Sequence, residues 1–146
     1  MVLDFKDQIK KMEKEYFKSK NAKSILKKIQ EWSDSYLNQE VCGFIGKSEN
    51  KYTAFLCENK SSEPEHSFTI DPMEYYLFLK DYSPIAVWHS HVYGDEEESE
   101  KDVLMSENSC LPFFIYSLNT KKMNFYTPLK SSVEESELKK FKNIND

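Results

Sequence analysis

The sequence predicts a single α/β domain, a mixed β-sheet flanked by helices, with an extra helix at the N-terminus. Three observations carry this. The chain has 146 residues, enough for one hydrophobic core and short for two. Aromatic residues make up 14% of it, with only three Gly and five Pro, a composition suited to a packed globule. And the spacing of apolar residues switches repeatedly between the helical three-or-four repeat and the strand repeat of two.

The elements follow in order. In "DFKDQIKKMEKEYF", Phe5, Ile9, Met12 and Tyr16 recur at helical spacing, which predicts an amphipathic helix. It reads as an N-terminal helical extension over residues 1–20. The pattern restarts after Asn21, where Ile25, Ile29, Trp32 and Tyr36 line a second helix ending near "LNQE". "EVCGFIG" and "YTAFLCEN" then read as strands of a hairpin around "KSENK", and "HSFTID" as a short third strand. Asp71 and Pro72 open a helix as N-cap and first helical residue. "PIAVWHSH" is a strand buried on both faces up to its polar end. "SEKDVLMSEN" is a short helix, and "LPFFIYSL" and "MNFYTP" are two more strands joined around "NTKK". Phe113, Phe114 and Tyr116 are expected in the core. The central domain runs over residues 21–130, and the tail, 131–146, carries a helical pattern in "SSVEESELKKFKNI". Its end is expected to fray.

Charge and cysteine usage narrow the function classes. The net charge is −5, yet residues 1–30 hold nine Lys against four acids. All 20 basic residues are Lys. Without Arg, the bidentate readout of bases and phosphates loses its usual agent, which argues against sequence-specific nucleic-acid binding. The start lacks the apolar stretch of a signal peptide, and no run has the length of a membrane span. Cys42, Cys57 and Cys110 form no C-x-x-C pair and read as small hydrophobes in a reducing cytoplasm. Cys42 stands out for lying two residues from Glu40.

Two of the three histidines stand one residue apart at the end of the apolar strand, in "VWHSHVYGDEEESEKDV". Side chains alternate along a strand, so His89 and His91 share a face and can converge on one ion, while Trp88 and Ser90 point the other way. Zn²⁺ accepts imidazole nitrogens and carboxylate oxygens at about 2.0–2.2 Å, and a catalytic site needs a third protein ligand. Asp95, Glu96, Glu97 and Glu98 lie in a loop, whereas Asp102 lies in the first turn of the next helix. A rigid element holds ligand geometry better, which favours Asp102. "SEKD" also reads as a capping box with Ser99 as N-cap, and both roles can hold at once. His66, in the polar loop "SSEPEHSF", reads as an exposed loop histidine, and residues 95–98 as a solvated acidic loop.

Taken together, His89-x-His91, seven residues, Ser99, two residues and Asp102 resemble the signature of the JAMM, or MPN-plus, metallopeptidases. That family also has a glutamate on an early strand just before an apolar segment, and "NQEVCGFIG" offers Glu40 there. The similarity runs from about Leu26 to Pro128. "SFTIDPMEYYLFLKDYSPIAVWHSH" and "LPFFIYSLNTKKMNFYTP" look like the branch of the family at the N-terminus of lambda-like phage tail-tip assembly proteins. Two family prolines, after the second histidine and before the serine, are replaced by Val92 and Glu98, so a looser loop is expected. No counterpart of the cysteine-peptidase domain that commonly follows in tail-tip proteins is expected within these 146 residues.

The resemblance implies a JAMM/MPN-like, cytidine-deaminase-like fold and a zinc-dependent hydrolase of peptide or isopeptide bonds. His89, His91 and Asp102 would hold one Zn²⁺, with an open position for water. Glu40 would be the general base, and Ser99 would donate a hydrogen bond to the developing oxyanion. It further implies a protein or peptide substrate, with phage tail-tip proteins as partners, in the host cytoplasm or on the virion. The competing expectation is a tail assembly component in which catalysis is dispensable.

Overall fold

The computed structural model describes residues 15–142, in which the strand alternation builds one six-stranded sheet. Its strands are β1 (Tyr16–Ser19), β2 (Cys42–Ser48), β3 (Lys51–Cys57), β4 (Ser83–His91), β5 (Phe113–Ser117) and β6 (Met123–Tyr126). Its helices are α1 (Ala22–Asp34), α2 (Pro72–Asp81), α3 (Glu100–Ser109) and α4 (Glu135–Lys142). The strand order is β1-β3-β2-β4-β5-β6, and only β4 and β5 run parallel. A parallel pair needs a crossover, and α3 lies within it, so the crossover starts at the end of β4 that carries the histidines. This is a single α/β domain with a mixed sheet. Among the described residues no helix is long and apolar enough to cross a membrane.

The alternation on β4 sorts the core into two layers. Trp88 faces α1 and α4, where Ile25, Ile29, Phe114, Leu138 and Phe141 are buried with it. Its ring stacks on Trp32, centroids 5.8 Å apart, and its Nε1 donates to the Phe55 carbonyl at 3.0 Å. Gly43 makes that approach possible, since a Cβ there would sit 1.7 Å from the Phe55 oxygen. Val87 faces the other layer with Phe44, Phe78, Phe113 and Ile115. Local signals place the helices on this frame. The Asn21 side chain caps α1 through Lys23 N, at 2.8 Å, and Asp71 caps α2 through Met73 N, at 3.0 Å, with Pro72 at the first helical position.

Three expectations are corrected. Phe5, Ile9 and Met12 of the first amphipathic pattern lie outside the described residues, but Tyr16, its last position, starts β1 and pairs with Phe55. Edge pairing with β3 outweighs the helical spacing there. α1 ends at Asp34, leaving Tyr36 outside it and exposed. Residues 66–71, expected as a strand, form no ladder. Asn59 stands in for a neighbouring strand, its amide donating to Ser67 O and its Oδ1 accepting from Thr69 N. The helical pattern expected in the tail is present as α4, with Leu138 and Phe141 sealed in the core. Cys42 and Cys57 are buried as expected, whereas Cys110 is half-buried in the left-handed C-cap of α3.

Candidate metal centre

The centre forms where β4 ends and α3 begins. His89 and His91 emerge from one face of β4, His89 fully buried and His91 half-buried at the mouth of a cleft. The first turn of α3 brings Asp102 between them. Its Oδ1 lies 3.0 Å from His89 Nε2 and its Oδ2 3.0 Å from His91 Nε2. One donor atom from each of the three residues lies within 4.8 Å of the others. Residues far apart in local structure thus present three ligand groups to one point.

The capping box fixes Asp102. Ser99 Oγ accepts from Asp102 N at 3.1 Å, and Asp102 Oδ2 accepts from Ser99 N at 3.0 Å. Ser99 therefore spends a lone pair on the helix and keeps its hydroxyl proton for another acceptor. The cap reading of "SEKD" is present in the structure, and the same turn sets Asp102 beside His89 and His91.

The donor set fits a cation. His91 Nδ1 lies 2.8 Å from the Asp95 carbonyl, which only accepts, so the proton sits on Nδ1. In the neutral ring, Nε2 then turns a lone pair toward Asp102 Oδ2 at 3.0 Å. Two acceptors this close repel unless a proton or a metal ion lies between them. His89 makes the same point differently. Its Nε2 is 3.0 Å from Asp102 Oδ1 but off the line a hydrogen bond requires, and neither of its buried ring nitrogens has an aligned partner among the described residues. Such an orphan inside a protein is costly, and an ion on the ring nitrogen relieves it. Two imidazoles and a carboxylate are a donor set suited to zinc.

The electrostatics agree. Burial lowers the His89 pKa and keeps that ring neutral, the state in which imidazole binds metal. Burial also opposes charge on His91, but its bonds to Asp102 and the Asp95 carbonyl outweigh this and raise its pKa. For Asp102 burial acts upward and is overcome by His89, His91 and the Ser99 N–H, which hold the carboxyl well below its usual range. Glu40 is the opposite case. Desolvation pushes its pKa up to about 7, with His91 and Lys101 opposing and Asp102 adding to the rise. A carboxylate poised near neutrality can both take and return a proton.

Glu40 reaches the site because β2 pairs with β4 in the register Cys42↔His89. It lines the same cleft of about 310 Å³ as His91, Ser99 and Asp102. The structure thus brings all five expected residues together. It also reveals residues that pattern alone did not single out. Ser90, on the opposite face from the histidines, clamps the residue after Glu40: its Oγ accepts from Val41 N and its own N donates to Val41 O, both at 2.9 Å. Asn59 Nδ2 donates to Glu40 O at 2.8 Å. Phe68 stacks on His89 with centroids 4.4 Å apart and covers it. A hydroxyl inside an apolar strand, which must find a buried partner, was the available signal for Ser90.

The loop from 92 to 99 is tied down where looseness was expected. Gly94 O accepts from Ser117 Oγ and Asn119 Nδ2, both at 2.9 Å, and Asn119 also reaches Val92 O. Glu96 accepts from Thr120 and Glu98 from Asn124, each at 2.7 Å. These polar ties fasten the loop through side chains of β5, of the turn that follows it and of β6. His66 is an exposed loop histidine, as expected, and it also lines the cleft and stacks on Tyr93, 5.2 Å away, at its rim.

Comparison with known proteins adds the following. No family model matches the chain. The tail tip assembly protein K of Escherichia phage N15 is 29% identical over 79 residues, which make up 54% of this chain and 32% of that protein. The chain thus spans about a third of the length of the curated relative it matches. Among solved structures, a Desulfitobacterium hafniense protein determined in solution superposes with a TM-score of 0.56 at 22% identity, covering 70% of this chain and 77% of the other. That likeness is one of fold.

Proposed function

We propose that this chain is a zinc-dependent metallopeptidase of the JAMM type that hydrolyses a peptide or isopeptide bond of a protein partner. The observation that carries the reading is the convergence of His89, His91 and Asp102 beside a buried Glu40 whose pKa is raised to about 7. His89, His91 and Asp102 would hold the ion. Bound there, zinc would acidify a water molecule and polarise the scissile carbonyl. Glu40 takes the proton of the attacking water on its carboxylate and delivers it to the departing amine nitrogen. Ser99 donates its free hydroxyl proton as a hydrogen bond to the carbonyl oxygen as negative charge builds there, a contribution of about 10²–10³ in rate for such donors. Ser90 and Asn59 hold the backbone on either side of Glu40, and Phe68 shields His89 from water.

The similarity to the phage N15 protein supports a place in tail-tip assembly or maturation, in the host cytoplasm or on the particle, with tail proteins as partners. It equally favours a second reading, an assembly protein whose metal site is structural and whose catalysis is dispensable. Two experiments decide. Wild-type protein should bind one zinc per chain, His89→Ala none, and Glu40→Gln one zinc without hydrolysis. Wild-type protein that binds no zinc at equimolar concentration ends the peptidase reading. Glu40→Gln in a phage complementation assay then separates the two: normal particles make catalysis dispensable, while unprocessed or arrested tails make it central.

A further inference from the structure

A second cleft, of about 390 Å³, opens beside the candidate centre and is almost wholly apolar. Phe44, Val87, Leu111 and Phe113 form its floor, all nearly sealed from solvent, and Ile70 and Tyr75 its outer wall. Phe68, Lys101 and Met105 line both this cleft and the one holding Glu40, His91 and Asp102. The reason is helical geometry. Lys101, Met105 and Ser109 recur at four-residue spacing on α3 and turn one stripe toward the apolar cleft, while Asp102, one position on, turns to the metal ligands. The walls are shared on the far side too, since Phe68 stacks on His89 and Phe113 meets its edge at 5.6 Å.

We infer that this apolar cleft is a specificity subsite that receives a large apolar side chain, Leu, Met or Phe, of a peptide substrate, next to the bond that is cut. The inference rests on the peptidase reading and adds the substrate class to it. Continuity with the cleft of Glu40 sets the occupant: a peptide crossing the three shared residues lays one side chain into the apolar floor while its backbone stays at the ligand cluster. The volume admits a side chain as large as Leu, Met or Phe, and the lining offers it contact without a buried polar group to satisfy. Lys101 stands at the junction, forms no ion pair with a described carboxylate, and is positioned to meet a peptide carbonyl oxygen as the chain passes from one cleft to the other. An acidic side chain at that position is disfavoured by the apolar floor, and a small one leaves it unfilled.

The test is binding, read separately from cleavage. Acetyl-Ala-Ala-X-Ala-Ala-amide peptides with X as Leu, Phe, Ala or Asp are titrated into isotope-labelled full-length protein, with and without zinc, and followed by methyl NMR. The Leu and Phe peptides are expected to bind at least about tenfold more tightly than the Ala peptide, with the largest shifts at Met105, Ile70, Leu111 and Val87. Ile70→Glu should remove that preference while leaving zinc content unchanged. Met105→Ala, a milder change, should weaken it. Equal binding of all four peptides, or shifts that map elsewhere, overturns the subsite. So do shifts at these methyls that follow protein dilution, because a second copy of the chain then fills the cleft. Selective binding without hydrolysis of any peptide leaves the subsite standing and counts against the peptidase reading. Hydrolysis without preference at X does the reverse.

Discussion

Removing one oxygen atom from Ser90 should loosen the end of the sheet that carries the candidate centre without touching His89, His91 or Asp102. Ser90 is fully buried, and its Oγ accepts from Val41 N, itself 2% exposed, at 2.9 Å. Ser90→Ala leaves that N–H without its acceptor in a site closed to water. The cost of such an orphan is about 1–3 kcal/mol. For a domain of this size the loss corresponds to a fall in melting temperature of roughly 3–10 °C. Ser90 points away from His89 and His91, so zinc stoichiometry should stay at one per chain. Glu40, however, adjoins the freed residue 41, and hydrolysis should fall more than metal content does. Urea titration and calorimetry, zinc analysis and a peptide hydrolysis assay on the same samples measure stability, metal content and hydrolysis. Ser90→Thr, which keeps the hydroxyl, should recover most of the stability. If Ser90→Ala melts with the wild type, or loses zinc in proportion to stability, the clamp has no role in positioning Glu40.

Further outcomes follow from the same geometry. Zinc should raise the melting temperature of the wild type, with about 2.7 kcal/mol of stabilisation at a hundredfold excess over Kd, and should do nothing for Asp102→Ala. An equal rise in both would place the ion elsewhere. Gly43→Ala drives a Cβ against the Phe55 carbonyl, a backbone atom that cannot swing aside, so destabilisation should reach or exceed the about 1–3 kcal/mol typical of overpacking. Near-wild-type stability in chemical denaturation would contradict the tight β2–β3 approach. On α4, Glu137 accepts from Tyr52 and pairs with Lys47 at 3.2 Å. Burial acts to raise its pKa, but these partners prevail and lower it. Its carboxylate therefore stabilises the fold above the ordinary Glu pKa of 4.5, and this contribution disappears as pH falls through the lowered folded-state value. The stability gap between wild type and Glu137→Gln should be widest near neutrality and close in acid; a gap independent of pH would refute the ion pair's role.

Much of the site was legible because its parts are local. His89 and His91 share a face through the two-residue repeat of a strand, and Asp102 stands in a first helical turn marked by its own cap. The Asp71-Pro72 start of α2 and the hairpin of β2 and β3 were equally readable from neighbouring residues. Tyr16 was not, since its helical spacing with Met12 competes with a sheet edge that the local pattern cannot see. The segment 66–71 alternates like a strand, yet Asn59 satisfies its backbone and no ladder forms.

The sequence by itself determined the candidate residues, the elements that hold His89, His91 and Asp102, and the chain's lack of arginine. Only the tertiary structure decided how Glu40 meets them, that Ser90 and Asn59 hold it there, and that the acidic loop is fastened. It also decided that an apolar cleft adjoins the centre. The physical reason is range. Helix caps and strand alternation depend on neighbours a few residues away, whereas the pairing of β2 with β4, the desolvation of Glu40 and the floor beneath Met105 arise from residues distant in the chain. Their placement is set by packing of the whole core.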